Sequence, residues 1–147
     1  MKNAKIIKII IGIMIIFLAY NIFWMAYVHI KYSRYTSQVE RMDLFHYLEF
    51  DDDYGFMITL PAYLQYDSGN VSVSNPEGTV TFEIWPGFWG DETEYGLRIE
   101  DETTGEVYAM YIDADWNGLT AYDNEIIEKY QDEVNLLKAK AAEKIEW

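Results

Sequence analysis

VSVSNPEGTVTFEI, residues 71–84, is the stretch whose reading decides the fold. Val71 and Val73 alternate with Ser72 and Ser74, and Val80, Phe82 and Ile84 alternate with Thr79, Thr81 and Glu83. A period of two puts the apolar set inside and the polar set outside on paired strands. Between them, Asn75-Pro76-Glu77-Gly78 combines Asn, Pro and Gly, which favour tight reversal, so the spacing predicts a β-hairpin with one buried face.

The pattern extends in both directions. Upstream, Phe56, Ile58 and Leu60 point one way and Met57 and Thr59 the other; Pro61 ends the strand, and Asp67-Ser68-Gly69-Asn70 turns the chain toward Val71. Downstream, residues 95–101 and 106–113 predict a second hairpin, turning through Glu102-Thr103-Thr104-Gly105. Its returning strand, VYAMYI, is apolar on both sides, which predicts a central position covered on each face. Residues 123–146 read as one long helix with Ile127, Tyr130, Val134, Leu137, Ala141 and Ile145 as its apolar stripe. Acids crowd its first turns and Lys138, Lys140 and Lys144 its last, as the helix dipole prefers. The predicted class is α+β, a five-stranded antiparallel meander packed by a long C-terminal helix.

The opening Gly55-Phe56-Met57-Ile58-Thr59-Leu60-Pro61, followed by an alternating hairpin and a closing helix, resembles the start of PsbP-like domains. In that family an F-x-x-x-x-P strand begins an antiparallel sheet flanked by helices. The likeness covers about 25 residues, with Leu64 where the family usually has Trp. It implies a fold and carries no functional residue.

The N-terminal part obeys different rules. Residues 9–28, IIIGIMIIFLAYNIFWMAYV, contain no charge across twenty positions. As a helix they would be roughly 30 Å long, matching the hydrocarbon thickness of a bilayer. Lys2, Lys5 and Lys8 precede the run, and Tyr20, Phe23, Trp24, Tyr27, Tyr32 and Tyr35 crowd its exit, where amphipathic rings favour the headgroup level. The run exceeds a signal-peptide core and lacks small residues at cleavage spacing. The reading is an uncleaved transmembrane anchor over residues 1–31 with its N terminus cytoplasmic. Tyr32, Tyr35, Val39, Met42, Phe45 and Leu48 recur at helical spacing, predicting an amphipathic stalk over 32–50, then an extracytoplasmic domain over 51–147.

Charge separates the same two parts. Residues 1–41 hold six bases and one acid, whereas residues 42–147 hold five bases and 24 acids, a balance of −19. That sign excludes nucleic acid as a partner and favours basic partners or divalent cations. The absence of cysteine excludes disulfide and zinc-thiolate scaffolds and a thiol nucleophile. His29 and His46 lack metal-ligand spacing, and no nucleophile elbow, phosphate loop or dinucleotide fingerprint occurs, so no catalytic residue is nominated. A small carboxylate hydrolase acting on cell-wall glycan stays a minor alternative. The acids Asp91, Glu92, Glu94, Glu100, Asp101 and Glu102 read as a solvated rim.

Two segments are candidate sites. Trp85-Pro86-Gly87-Phe88-Trp89-Gly90 puts three large rings in six residues, so Trp85, Phe88 and Trp89 are candidate partner-binding residues, with burial at the sheet edge as the alternative. Asp113-Ala114-Asp115-Trp116-Asn117-Gly118 matches the first half of a calcium loop, in which alternate oxygens converge on the ion. Asp113, Asp115, Asn117, Leu119 through its carbonyl, Asp123 and Glu125 would be the ligands; position twelve is Asn124 rather than Glu, and an ordinary turn capped by Thr120 or Asp123 competes. The sequence therefore predicts a single-pass, non-catalytic binding or accessory protein at a bacterial membrane, with an envelope protein or glycan as partner. A calcium-binding module is the alternative.

Overall fold

The computed structural model describes residues 2–65, 68–88 and 90–147. The chain divides into two compact units, Met1–Ser33 and Arg34–Trp147. α1 runs over Lys2–Thr36. Every large apolar side chain between residues 6 and 18 is exposed, Ile16 to 71% and Phe17 to 59%. By length and composition this helix can cross a membrane, with a mean hydropathy of 2.5.

The stalk expected over 32–50 does not form. α1 stops at Thr36, and His46–Asp51 is instead a strand, β1. The Asp43 carboxylate accepts the backbone N–H groups of Phe45 (2.8 Å) and His46 (2.9 Å), a turn that leaves the helical path. β1 then reverses into β2 (Tyr54–Thr59) through Asp52 and Asp53, whose φ values of 49° and 67° meet the demand of a type I′ hairpin. Aspartate tolerates this left-handed geometry because its short side chain bonds locally.

β3 (Asn70–Ser74), β4 (Val80–Trp85), β5 (Glu94–Glu100) and β6 (Val107–Ile112) follow. Among the described residues the strands make one six-stranded antiparallel sheet in sequence order, rather than five strands. Asp67, expected in the turn before β3, lies outside the described residues. The 71–84 hairpin forms as read: Val73 pairs with Phe82, and Asn75 closes the link by accepting the Val80 N–H at 2.9 Å through its side chain. Phe56, Val73, Phe82 and Leu97 make a continuous buried row across β2 to β5. Ser72 departs from expectation and is buried.

The single helix expected over 123–146 is two helices, α2 (Ala121–Lys129) and α3 (Gln131–Lys144), with Tyr130 between them at φ −112° and ψ 27°. Thr120 and Asp123 form a reciprocal capping box at the start of α2. Ile126, not Ile127, is the buried residue of α2, because the stripe is read on two helices with different phases. Val134, Leu137, Ala141 and Ile145 lay α3 over β3 and β4. Consequently β6 is not the covered central strand expected from VYAMYI. A meander puts its last strand at the rim, and Val107 and Tyr111 are 50% and 56% exposed.

Leu137 is fully buried against the sheet. Leu137→Ala is expected to cost about 2–5 kcal/mol, read as a lower urea midpoint at unchanged slope.

Candidate functional site

Helix cover goes to one face of the sheet, so the surface available for function is the opposite face and its two edges. On this open face Trp85 lies over Gly96, where a Cβ would fall 2.7 Å from the indole, and its ring centroid is 5.9 Å from that of Tyr111. Phe50, 70% exposed, lies beside Gly55. The edges differ. Outside β1 the chain returns to pair: Leu48 donates to the Glu40 carbonyl at 2.9 Å, and Arg41 bridges Tyr47. Along β6 the described residues supply only the bridge between Ile112 and Gly118 at its far end. A cavity of about 450 Å³ opens beside that end, lined by Glu94, Tyr111, Asp113 and Leu119 among others.

The electrostatics of the second unit follow from how its five bases are used. Arg98 pairs with Glu100 at 2.8 Å, and Lys129 with Asp101 at 2.9 Å. Lys138 donates to the Asp115 carbonyl at 2.7 Å. Lys140 contacts Asp51, Asp52 and Glu143 at 2.9–3.2 Å, and Lys144 contacts Glu49 and Asp51. Every base after residue 41 is therefore committed to a contact within the domain. The acids in excess are left to set the outward field, which reaches about 8 Å at physiological salt.

Asp101 was expected on the solvated rim, and it is 8% exposed. Its carboxylate accepts the Tyr130 hydroxyl, the Lys129 ammonium and the backbone N–H groups of Thr103 (2.9 Å) and Thr104 (3.1 Å). The Tyr130 hydrogen bond, followed by that from Lys129, holds its carboxyl well below the usual carboxylate range. Lys129 is raised, chiefly by its bond to Tyr130 and then by Asp101. Nearby, Tyr108 is pushed up to about 12, first by its hydrogen bond to Glu106. The group fixes the β5–β6 turn to the junction of α2 and α3, beside a cleft of about 650 Å³. All three shifts run away from neutrality, opposite to what general acid or base work requires.

Comparison with known proteins adds no relative. No family model, curated protein or solved structure matches the chain. The site rests on its own geometry.

The two sequence-nominated segments fare differently. Phe88 was a candidate for display and is 5% exposed, while Trp85 is half-buried on Gly96; Trp89 lies outside the described residues. The loop turns inward because Gly87 lets backbone approach closely: a Cβ there would fall 2.1 Å from the Asp91 carbonyl oxygen. In the 113–125 segment, Asp113 accepts the backbone N–H groups of Asp115 and Asn117 and the Asn117 side-chain amide. Asp123 accepts the Thr120 N–H, and Leu119 is 65% exposed. Asp115 and Glu125 are exposed, and among the described residues no three acids or histidines converge in a metal-holding group. The feature the sequence analysis missed is the open β6 edge; its uncharged VYAMYI run was the signal, read as centrality instead.

Asp101 yields a pH prediction. Its carboxyl stays ionised in the folded chain to lower pH than in the unfolded chain, so its contribution is complete above the unfolded value near 4 and fades as acid carries the folded chain through its own lower value. Asp101→Asn should therefore lower Tm at neutral pH, with the gap closing as pH falls below about 4. A gap unchanged at about pH 2 contradicts this. For the 113–125 loop, Asp113→Ala should lower Tm with or without calcium, and calcium at millimolar order should leave the native Tm unchanged. A calcium-dependent rise would favour the ligand reading.

Proposed function

We propose that this chain is a single-pass membrane protein whose acidic α+β domain lies outside the cytoplasmic membrane and binds or supports another envelope component without catalysis. The observation that carries this reading is the outward-facing apolar surface of α1. Eleven large apolar side chains between residues 6 and 18 are about half exposed or more. Apolar surface costs about 25 cal/mol per Å² in water, a cost that lipid removes. Lys2, Lys5 and Lys8 favour an N terminus inside, and the exposed rings of Tyr20 and Phe23 favour an interface at their level, whereas Trp24, Tyr32 and Tyr35, expected there too, are buried. A binding role is supported by the excess of acids in residues 42–147, whose five bases are all held in contacts within the domain, so that the outward charge favours basic partners.

The full chain expressed in a bacterial host should remain in the membrane pellet after alkaline carbonate and high-salt washes. Protease added to intact cells should remove the C-terminal domain and leave a short N-terminal fragment. Extraction into the carbonate supernatant, or a domain resistant until the cells are lysed, contradicts the proposal.

A further inference from the structure

We infer that the outer edge of β6 is a strand-addition site for an extended, basic-flanked segment of a partner protein. The ladder fixes which groups are offered. Asp101 donates to the Glu106 carbonyl at 2.8 Å, so that opposed pair is hydrogen-bonded, and the alternation of antiparallel pairs makes Ile99 with Tyr108 and Leu97 with Met110 bonded in turn. Val107, Ala109 and Tyr111 therefore turn their N–H groups away from β5. Asp113, next of the same parity, confirms the phase by spending its N–H outward on the Asn117 carbonyl at 2.9 Å.

Sheet edges are ordinarily blunted by Lys, Pro, bulges or a covering segment. β1 has such a cover in residues 40–41. Among the described residues β6 has none of these along Val107 and Ala109, residues 117–118 pairing only with its far end, and its six residues carry no charge. A chain laid along it gains main-chain hydrogen bonds in register, the affinity source of strand addition.

Charge selects the occupant. The apolar strand is framed by Glu102 and Glu106 at one end and by Asp113 and Asp115 at the other. A second copy pairing antiparallel would bring its acidic ends against these, between two domains each at −19. A strand with Lys or Arg at both ends meets the opposite sign twice. The cavity of about 450 Å³ at the end of β6 suits one such side chain, with Tyr111 and Leu119 along its stem and the Glu94 carboxylate for its head. The inference rests on reading the domain as a binding module and is independent of the anchor, so the fractionation results above stand whatever a peptide does.

The test uses the full chain in non-ionic detergent and two fluorescent peptides, KKVTVTVTKK and EEVTVTVTEE, followed by anisotropy. The basic peptide should bind about tenfold or more tighter than the acidic one, with the difference growing as salt is lowered. Ala109→Pro removes only an outward N–H, which an edge strand tolerates, and should weaken binding about tenfold while circular dichroism and Tm hold. Glu94→Lys should weaken the basic peptide selectively. Should Ala109→Pro not fold, a basic peptide N-methylated at alternate residues asks the same question of the native chain and should not bind. Equal binding of the two charge patterns, undiminished binding of the methylated peptide, binding of neither peptide, or a dimer in sedimentation that Ala109→Pro abolishes would each overturn the inference.

Discussion

A helix segment, residues 6–18 of α1, whose large apolar side chains are all exposed sets the terms for everything after it. Between residues 6 and 18 the surface is isoleucine, methionine, phenylalanine and leucine, exposed on all sides. Hydrocarbon satisfies such a surface without further structure, since the helix closes its own backbone hydrogen bonds. The remainder of the chain is built on the opposite principle, with a sheet that buries one face and keeps an acidic surface for water.

Within that domain, a single helix face does most of the covering. Val134, Leu137 and Ala141 seat α3 on the middle strands, and Lys140 and Lys144 fasten its end to the β1–β2 turn through Asp51, Asp52 and Glu49. Asp101 ties the other hairpin tip to the point where α2 gives way to α3. The interactions that orient the helices also consume the domain's few bases, so packing and outward charge share one cause. Exposed pairs of this type contribute little to stability singly. Their larger consequence is a surface from which positive charge has been withdrawn, next to a strand whose outer edge, among the described residues, is paired only at Ile112.

The sequence made the hairpins legible because alternation and turn chemistry agreed over residues 71–84 and 95–113. β1 was hidden for two reasons. Its approach from Tyr32 to Leu48 happens to repeat at helical spacing, and its reversal uses Asp52-Asp53 rather than the Asn-Gly or Asp-Gly that announces a type I′ turn. The break falls at Tyr130, whose hydroxyl bonds Asp101 twenty-nine residues away, a partner that no local window contains. Of the nominated sites, Phe88 turned inward, Trp85 lies across Gly96 on the open face, and Asp113 and Asp123 bond to their own loop, since each short-range pattern had a local solution. VYAMYI misled for a related reason. Apolarity on both faces marks either a covered strand or one awaiting cover, and only strand order separates the two.

The central claim is that lipid surrounds the exposed part of α1, residues 6–18. The chain has no cysteine, so a single one can be placed at each of residues 6–18 in turn, and Ile13→Cys is a suitable first variant. Nitroxide labels at these positions, in bilayers, report collisions with oxygen, which enters lipid, and with a nickel chelate, which does not. Dominance of oxygen at every position through the middle of the run is the result the account predicts. Nickel access recurring at helical spacing along that run would contradict it, because one side of the helix would then face water.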